Sequence, residues 1–122
     1  MDELFETGAA VRREVLGPDY ADKPPTELGT PFREYVTRSA WGSVWARDGL
    51  DRRTRSAITL ALLAALRCDD ELGMHITAAR RNGLTDAEIA EVFLHTAVYA
   101  GAPAGNSAMR RLDSMEPDRG RP

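Results

Sequence analysis

Apolar residues along the chain fall into blocks of helical period, separated by glycine, proline and asparagine. From Glu3 to Leu16 the apolar positions Leu4, Phe5, Val11, Val15 and Leu16 recur at near-helical spacing, and Gly17-Pro18 closes the block. Asp19 to Pro31 holds Pro24, Pro25 and Pro31 among polar residues, which predicts an extended surface connection. Phe32, Tyr35, Val36, Ala40, Trp41, Val44 and Trp45 then repeat at i, i+3, i+4. They predict a second helix with a heavy aromatic stripe, Pro31 in its first turn and an end near Gly49. Trp41 and Trp45 read either as core or subunit-interface anchors or as the wall of a small-molecule pocket.

The third block, capped by Asp51 or Thr54, carries Ile58, Leu60, Ala61, Leu62, Leu63, Ala65 and Leu66 and is apolar on nearly every face. So small a chain has little room to enclose such a helix, which points to a homo-oligomer. Asp69 or Asp70 starts a fourth helix, stopped by Asn82-Gly83. Thr85 and Glu88 form a Thr-x-x-Glu capping box for a fifth, through Ile89, Val92, Phe93, Val98 and Tyr99 to Gly101. Pro103 opens a sixth, and the polar tail after Leu112 is expected not to pack. The pattern predicts an all-α, single-domain bundle of about six helices.

Composition narrows the function classes. A chain of 122 residues is one domain's worth, here taken as residues 1–115 with a flexible tail over 116–122. Aromatic residues make up only 7%, which suits closely packed Ala/Leu helices better than strands. A net charge of −3 argues against nucleic acid as a partner. The acidic start is unlike a signal peptide, and the best apolar run, Ala57 to Leu66, is about half of the ~20 residues a membrane span needs. With one cysteine and hence no internal disulfide, the expectation is a cytoplasmic protein with no membrane association.

Few residues can carry chemistry. Glu71 and His75, four apart, share one helix face: a carboxylate can hold one ring nitrogen and leave the other for proton transfer, although such pairs also decorate exposed helices. His95 and Tyr99 repeat the spacing and read first as hydrogen-bonded core residues. Arg52, Arg53 and Arg55 crowd a helix N-terminus, where the dipole disfavours cations; they are a solvated cluster or an anion site. Two histidines and Glu71 on different helices, without His-Glu-x-x-His or clustered Cys/His spacing, give no metal-site pattern, and no cofactor fingerprint is present.

The string SAWGSVWARDGLDRRTRSAITLALLAALRCDDELGMHITAARRNGLTDAEIAEVFLHTAVYAGAPAGNSA, with a weaker match at VRREVLG, resembles the 4-carboxymuconolactone decarboxylases of protocatechuate catabolism in the β-ketoadipate pathway. The resemblance implies an alkyl hydroperoxidase-like all-helical fold, a ring-like homo-oligomer (a hexamer, as a trimer of dimers), no metal or organic cofactor, and a small carboxylated lactone as substrate. Thiol-using members of that superfamily require Cys-x-x-Cys followed three residues later by His. Here Cys68-Asp69-Asp70-Glu71 precedes His75, so the resolving thiol is replaced by Glu71 and a dithiol cycle within one chain is excluded. On this resemblance Glu71 and His75 are the catalytic pair. Arg55, with Arg52 or Arg38, would bind substrate carboxylate; Trp41 or Trp45 would exclude water; His95 and Tyr99 would complete the polar wall. The chain departs from the family pattern at Ala104-Gly105-Asn106-Ser107, at Gly73, which costs its helix up to ~1 kcal/mol relative to Ala, and in the tail. A relative acting on another carboxylated or lactone-like metabolite in a biosynthetic pathway, and a non-enzymatic helical binding protein, are the alternatives.

Overall fold

The computed structural model describes residues 1–118, all helix and connection; among them there is no strand, and no helix is long and apolar enough to cross a membrane. The chain divides by its contacts into two compact units, one up to Arg52 and one from Arg53 on.

In the first unit, α1 (Glu3–Leu16) starts where Asp2 Oδ1 accepts the Phe5 N–H at 2.8 Å. The connection that the prolines predicted to be extended is shorter than expected. Pro18, suited to a first helical turn, begins the one-turn helix α2 (Pro18–Ala21), and α3 (Thr30–Val36) starts with Pro31 in its own first turn. α3 passes without a break into a π-helical stretch, Thr37–Trp45, whose wide winding shows in the Ala46 N–H donating to the carbonyl five residues back, on Trp41, at 3.0 Å. At this change the Thr37 and Ser39 hydroxyls donate to the Arg33 and Tyr35 carbonyls at 2.7 and 2.8 Å, so side chains take up part of the regular ladder.

The wider turn splits the predicted aromatic stripe. Trp41 and Trp45 are buried with ring centroids 5.2 Å apart, whereas Phe32 and Tyr35 are exposed. Against the π-helical stretch lies α1, brought close by Gly8: a Cβ there would stand 2.1 Å from the Thr37 carbonyl oxygen and 2.9 Å from the Gly42 nitrogen.

The second unit holds all but the first residue of α4 (Arg52–Ala65, begun directly after Asp51), with α5 (Asp69–Arg81), α6 (Asp86–Ala100) and α7 (Ala102–Asp113). The predicted punctuation is present. Asn82-Gly83 ends α5 with Gly83 at φ +105°, and the Thr85–Glu88 capping box is closed in both directions. Gly101 ends α6, and Pro103 lies in the first turn of α7. Leu60, Ala64, Leu72, Ile76, Ala79, Leu84, Ile89, Phe93, Ala108 and Leu112 make one core. Buried Ser56 accepts a 2.8 Å hydrogen bond from Asn82 Nδ2, which ties the first turns of α4 to the end of α5.

Only one face of α4 is enclosed: Ser56, Leu60 and Ala64 are buried, while Ile58, Leu62 and, just past the helix end, Leu66 are exposed. The tail also differs from a free polar strand as far as Asp118. Met115 packs on the core, the Glu116 carbonyl accepts from Arg80 Nη2 at 3.0 Å, and the Asp118 N–H donates to Asp86 Oδ2 at 3.2 Å. Residues 119–122 of the expected tail lie outside the described residues.

Candidate active site

α5 brings two of the expected residues together. Leu72, Ile76 and Ala79 bury one side of this helix in the core, and Glu71 and His75, one turn apart, lie beside that buried strip. Glu71 is exposed and His75 is half-buried. Burial pushes the His75 imidazole below its ordinary pKa, and the Glu71 carboxylate pulls it partly back. The pair is therefore electrostatically coupled, with an imidazole that is neutral at neutral pH and becomes a stronger acid than a free histidine once protonated.

Arg55 stands in the first turns of α4, half-buried, with its Nε shielded from solvent. Its neighbour Ser56 is bonded to Asn82, so the start of α4 is fixed to the helix that carries His75. The Ser56–Asn82 bond has no signature in the residue pattern, because a lone Ser and a helix-stop Asn each have a sufficient local explanation. The other arginines of the cluster are engaged by carboxylates: Arg53 pairs with Glu88 of the capping box, and Arg52 with Glu14 at 2.8 Å. Arg38 pairs with Asp2 at 2.9 Å and lies over the Phe5 ring. Arg52 and Arg38 thus have structural partners of their own within the first unit, which also buries Trp41 and Trp45.

His95 and Tyr99 are not hydrogen-bonded core residues. Their rings stack at 5.2 Å on the exposed side of α6, and Tyr99 is 82% exposed. They border a groove of about 400 Å³ between α4 and α6, whose other walls are Ala61, Leu62, Ala65, Thr96 and Ala100. Neither His75 nor Arg55 lines it. The pattern misled here because α6 is apolar on two sides, and only Ile89, Phe93 and Thr96 mark the buried one.

Cys68 occupies the N-cap position of α5, with its thiol 3.9 Å from the Leu66 carbonyl oxygen. Among the described residues no group of three or more His, Cys, Asp or Glu side chains is placed to hold a metal ion.

Comparison with known proteins bears on this arrangement. Residues 30–114 match the family described as "Carboxymuconolactone decarboxylase family". The chain is 41% identical to a 4-carboxymuconolactone decarboxylase of Acinetobacter baylyi over 98% of its own length and 91% of the relative's. It is 44% identical to a nitrosuccinic acid decarboxylase of Metarhizium robertsii over 87% of its length and 76% of that relative's. Both relatives are carboxy-lyases, and this chain belongs to the carboxymuconolactone decarboxylase family.

Proposed function

We propose that this chain is a decarboxylase acting without a cofactor on 4-carboxymuconolactone, which it converts to β-ketoadipate enol-lactone in protocatechuate catabolism. The observation that carries this reading is the 41% identity, spread over nearly the whole of both chains, with the decarboxylase of that substrate. In this substrate the departing carboxylate is borne by the γ-carbon of an unsaturated lactone. When the bond to CO₂ breaks, its electron pair forms a new double bond to the β-carbon, the ring double bond shifts toward the α-carbon, and the lactone carbonyl oxygen takes the charge. Protonation of the α-carbon of this dienolate gives the enol-lactone.

The substrate supplies its own electron sink, so the protein has three tasks: hold a dianion, stabilise the developing oxyanion and deliver one proton. Arg55 would bind the carboxylate that is retained. His75 would deliver the proton. In the free chain its imidazole is held neutral by burial; the arriving dianion adds to the field of Glu71, charges the ring and leaves an acidic N–H beside the forming carbanion. Exposed Leu62 on α4, Leu66 just past its end, and Leu94, Val98 and Tyr99 on α6 support assembly as a homo-oligomer with this face covered, which would take His95 and Tyr99 out of solvent.

A second reading has its own support in the 44% identity with the nitrosuccinic acid decarboxylase. Nitrosuccinate is also a dianion whose carbanion is stabilised internally, the nitro group accepting the pair as a nitronate. The same arginine and histidine chemistry would serve it. Parallel incubation with both acids decides between them: release of CO₂ with enol-lactone formation is expected from 4-carboxymuconolactone, and turnover of nitrosuccinate alone would replace the first reading by the second.

A further inference from the structure

A second polar cleft lies away from the Glu71–His75 pair, where the start of α5 meets the end of α7. It measures about 290 Å³ and is lined by Asp69, Ser107, Arg110, Arg111 and Ser114. Arg67, from the α4–α5 turn, reaches its rim: Nη2 donates to Ser107 Oγ at 2.9 Å. Arg111 Nη1 donates to Ser114 Oγ at 3.2 Å. On α5, Asp69 and Gly73 are four apart and share a face, whereas Glu71 and His75 are each two residues from Gly73 and point to the opposite side.

The charge balance at this cleft is unusual for the protein. Arg13, Arg38, Arg52, Arg53 and Arg80 each pair with a carboxylate. Among the described residues, Arg67, Arg110 and Arg111 have no carboxylate within ion-pair distance; Arg67 and Arg111 are bonded to serine hydroxyls instead. Three guanidinium groups against one carboxylate, Asp69, around a concave space leave a net positive local potential in a chain of net charge −3. Arg67 lies just past the end of α4 at φ +61°, where its own N–H and that of Cys68 donate to the Ala64 and Leu63 carbonyls at 3.2 and 2.9 Å, so the helix stop sets its backbone. One feature makes room for a guanidinium at a cost. Gly73 gives up helix propensity, and a Cβ in its place would stand 2.1 Å from Arg111 Nη2, so the glycine leaves room for that guanidinium against α5.

We propose that this cleft is a binding site for a small dianion, a dicarboxylate or a phosphate, separate from the decarboxylation site. Bidentate guanidinium groups recognise either oxyanion, and the serine hydroxyls donate to it when they turn from their present partners. A volume of about 290 Å³ is of the size of a small acid. Asp69, the one carboxylate in the lining, favours ligands that present a hydroxyl on that side. Because the cleft backs onto the helix that carries His75, its occupancy is positioned to act on that helix from behind.

The test is isothermal titration of the full chain with inorganic phosphate and, separately, with succinate, at constant ionic strength. Saturable binding of at least one is expected, and which one binds identifies the ligand class. Arg110→Ala and Arg67→Gly should each weaken it by about tenfold or more, whereas a loss in Arg55→Ala instead marks binding at the decarboxylation site. Glycine is chosen at position 67 because it adopts positive φ without strain, so the variant keeps its fold. The proposal is overturned if neither anion binds saturably, if both cleft variants retain wild-type affinity, or if the affinity is lost in Arg55→Ala instead.

Discussion

Gly73 offers a double-mutant cycle whose sign depends on the packing of one side chain. Replacing a helix-interior glycine by alanine ordinarily stabilises by about 0.5–1 kcal/mol. Here the added Cβ would fall 2.1 Å from Arg111 Nη2 and 2.6 Å from its Cζ, so the guanidinium has to leave α5. Its 3.2 Å bond to Ser114 Oγ goes with it, a loss of about 0.5–1.5 kcal/mol before any packing of the side-chain stem is counted. The two terms oppose each other, and Gly73→Ala in the wild-type background should be neutral or destabilising by up to about 1 kcal/mol. In an Arg111→Ala background the obstacle is gone and only the propensity gain remains, so the same substitution should stabilise by about 0.5–1 kcal/mol. Urea unfolding of the four proteins gives the coupling energy, expected near 1 kcal/mol. Equal stabilisation by Gly73→Ala in both backgrounds would show that Arg111 does not rest on α5 at this position.

Three further outcomes can be checked in the same way. Gly8→Ala meets backbone rather than a movable side chain, the Thr37 oxygen at 2.1 Å, so it should destabilise by about 1–3 kcal/mol, and a neutral result in urea unfolding would contradict the close crossing. Thr85→Ala removes the hydroxyl that accepts from the Glu88 N–H at 3.1 Å and should cost about 1 kcal/mol, with Thr85→Ser recovering most of it. For pH dependence, burial holds the folded His75 pKa below its unfolded value, so on acidification the unfolded chain binds the proton first. Stability should therefore be full above about pH 6.5 and fall as pH drops toward the lowered pKa, and this slope should be absent in His75→Gln.

Much of the fold was legible in the sequence because its stops are local. Asn82-Gly83, the Thr85–Glu88 box and Gly101 work through neighbouring backbone, and each appears where the residues place it. The π winding over Thr37–Trp45 was not legible: tryptophans four apart suit an α-helix equally well, and the looser turn shows only in which aromatic residues are buried. Gly73 looked like a flaw in α5, since its purpose lies on Arg111, thirty-eight positions away in sequence and adjacent in space. At the candidate site, spacing placed Glu71 and His75 on one face, but the half-burial that lowers the His75 pKa is a tertiary effect. His95 and Tyr99 have the same spacing and the opposite environment, so four-residue periodicity alone did not separate a half-buried histidine from an exposed one.

The central claim, that His75 protonates the dienolate left by CO₂ loss, is tested most directly by steady-state turnover of 4-carboxymuconolactone by the wild type and by His75→Ala, with circular dichroism confirming that both are folded. A general acid contributes about 10²- to 10⁴-fold, so kcat is expected to fall by at least ~100-fold in the variant. Wild-type turnover by folded His75→Ala would contradict the assignment.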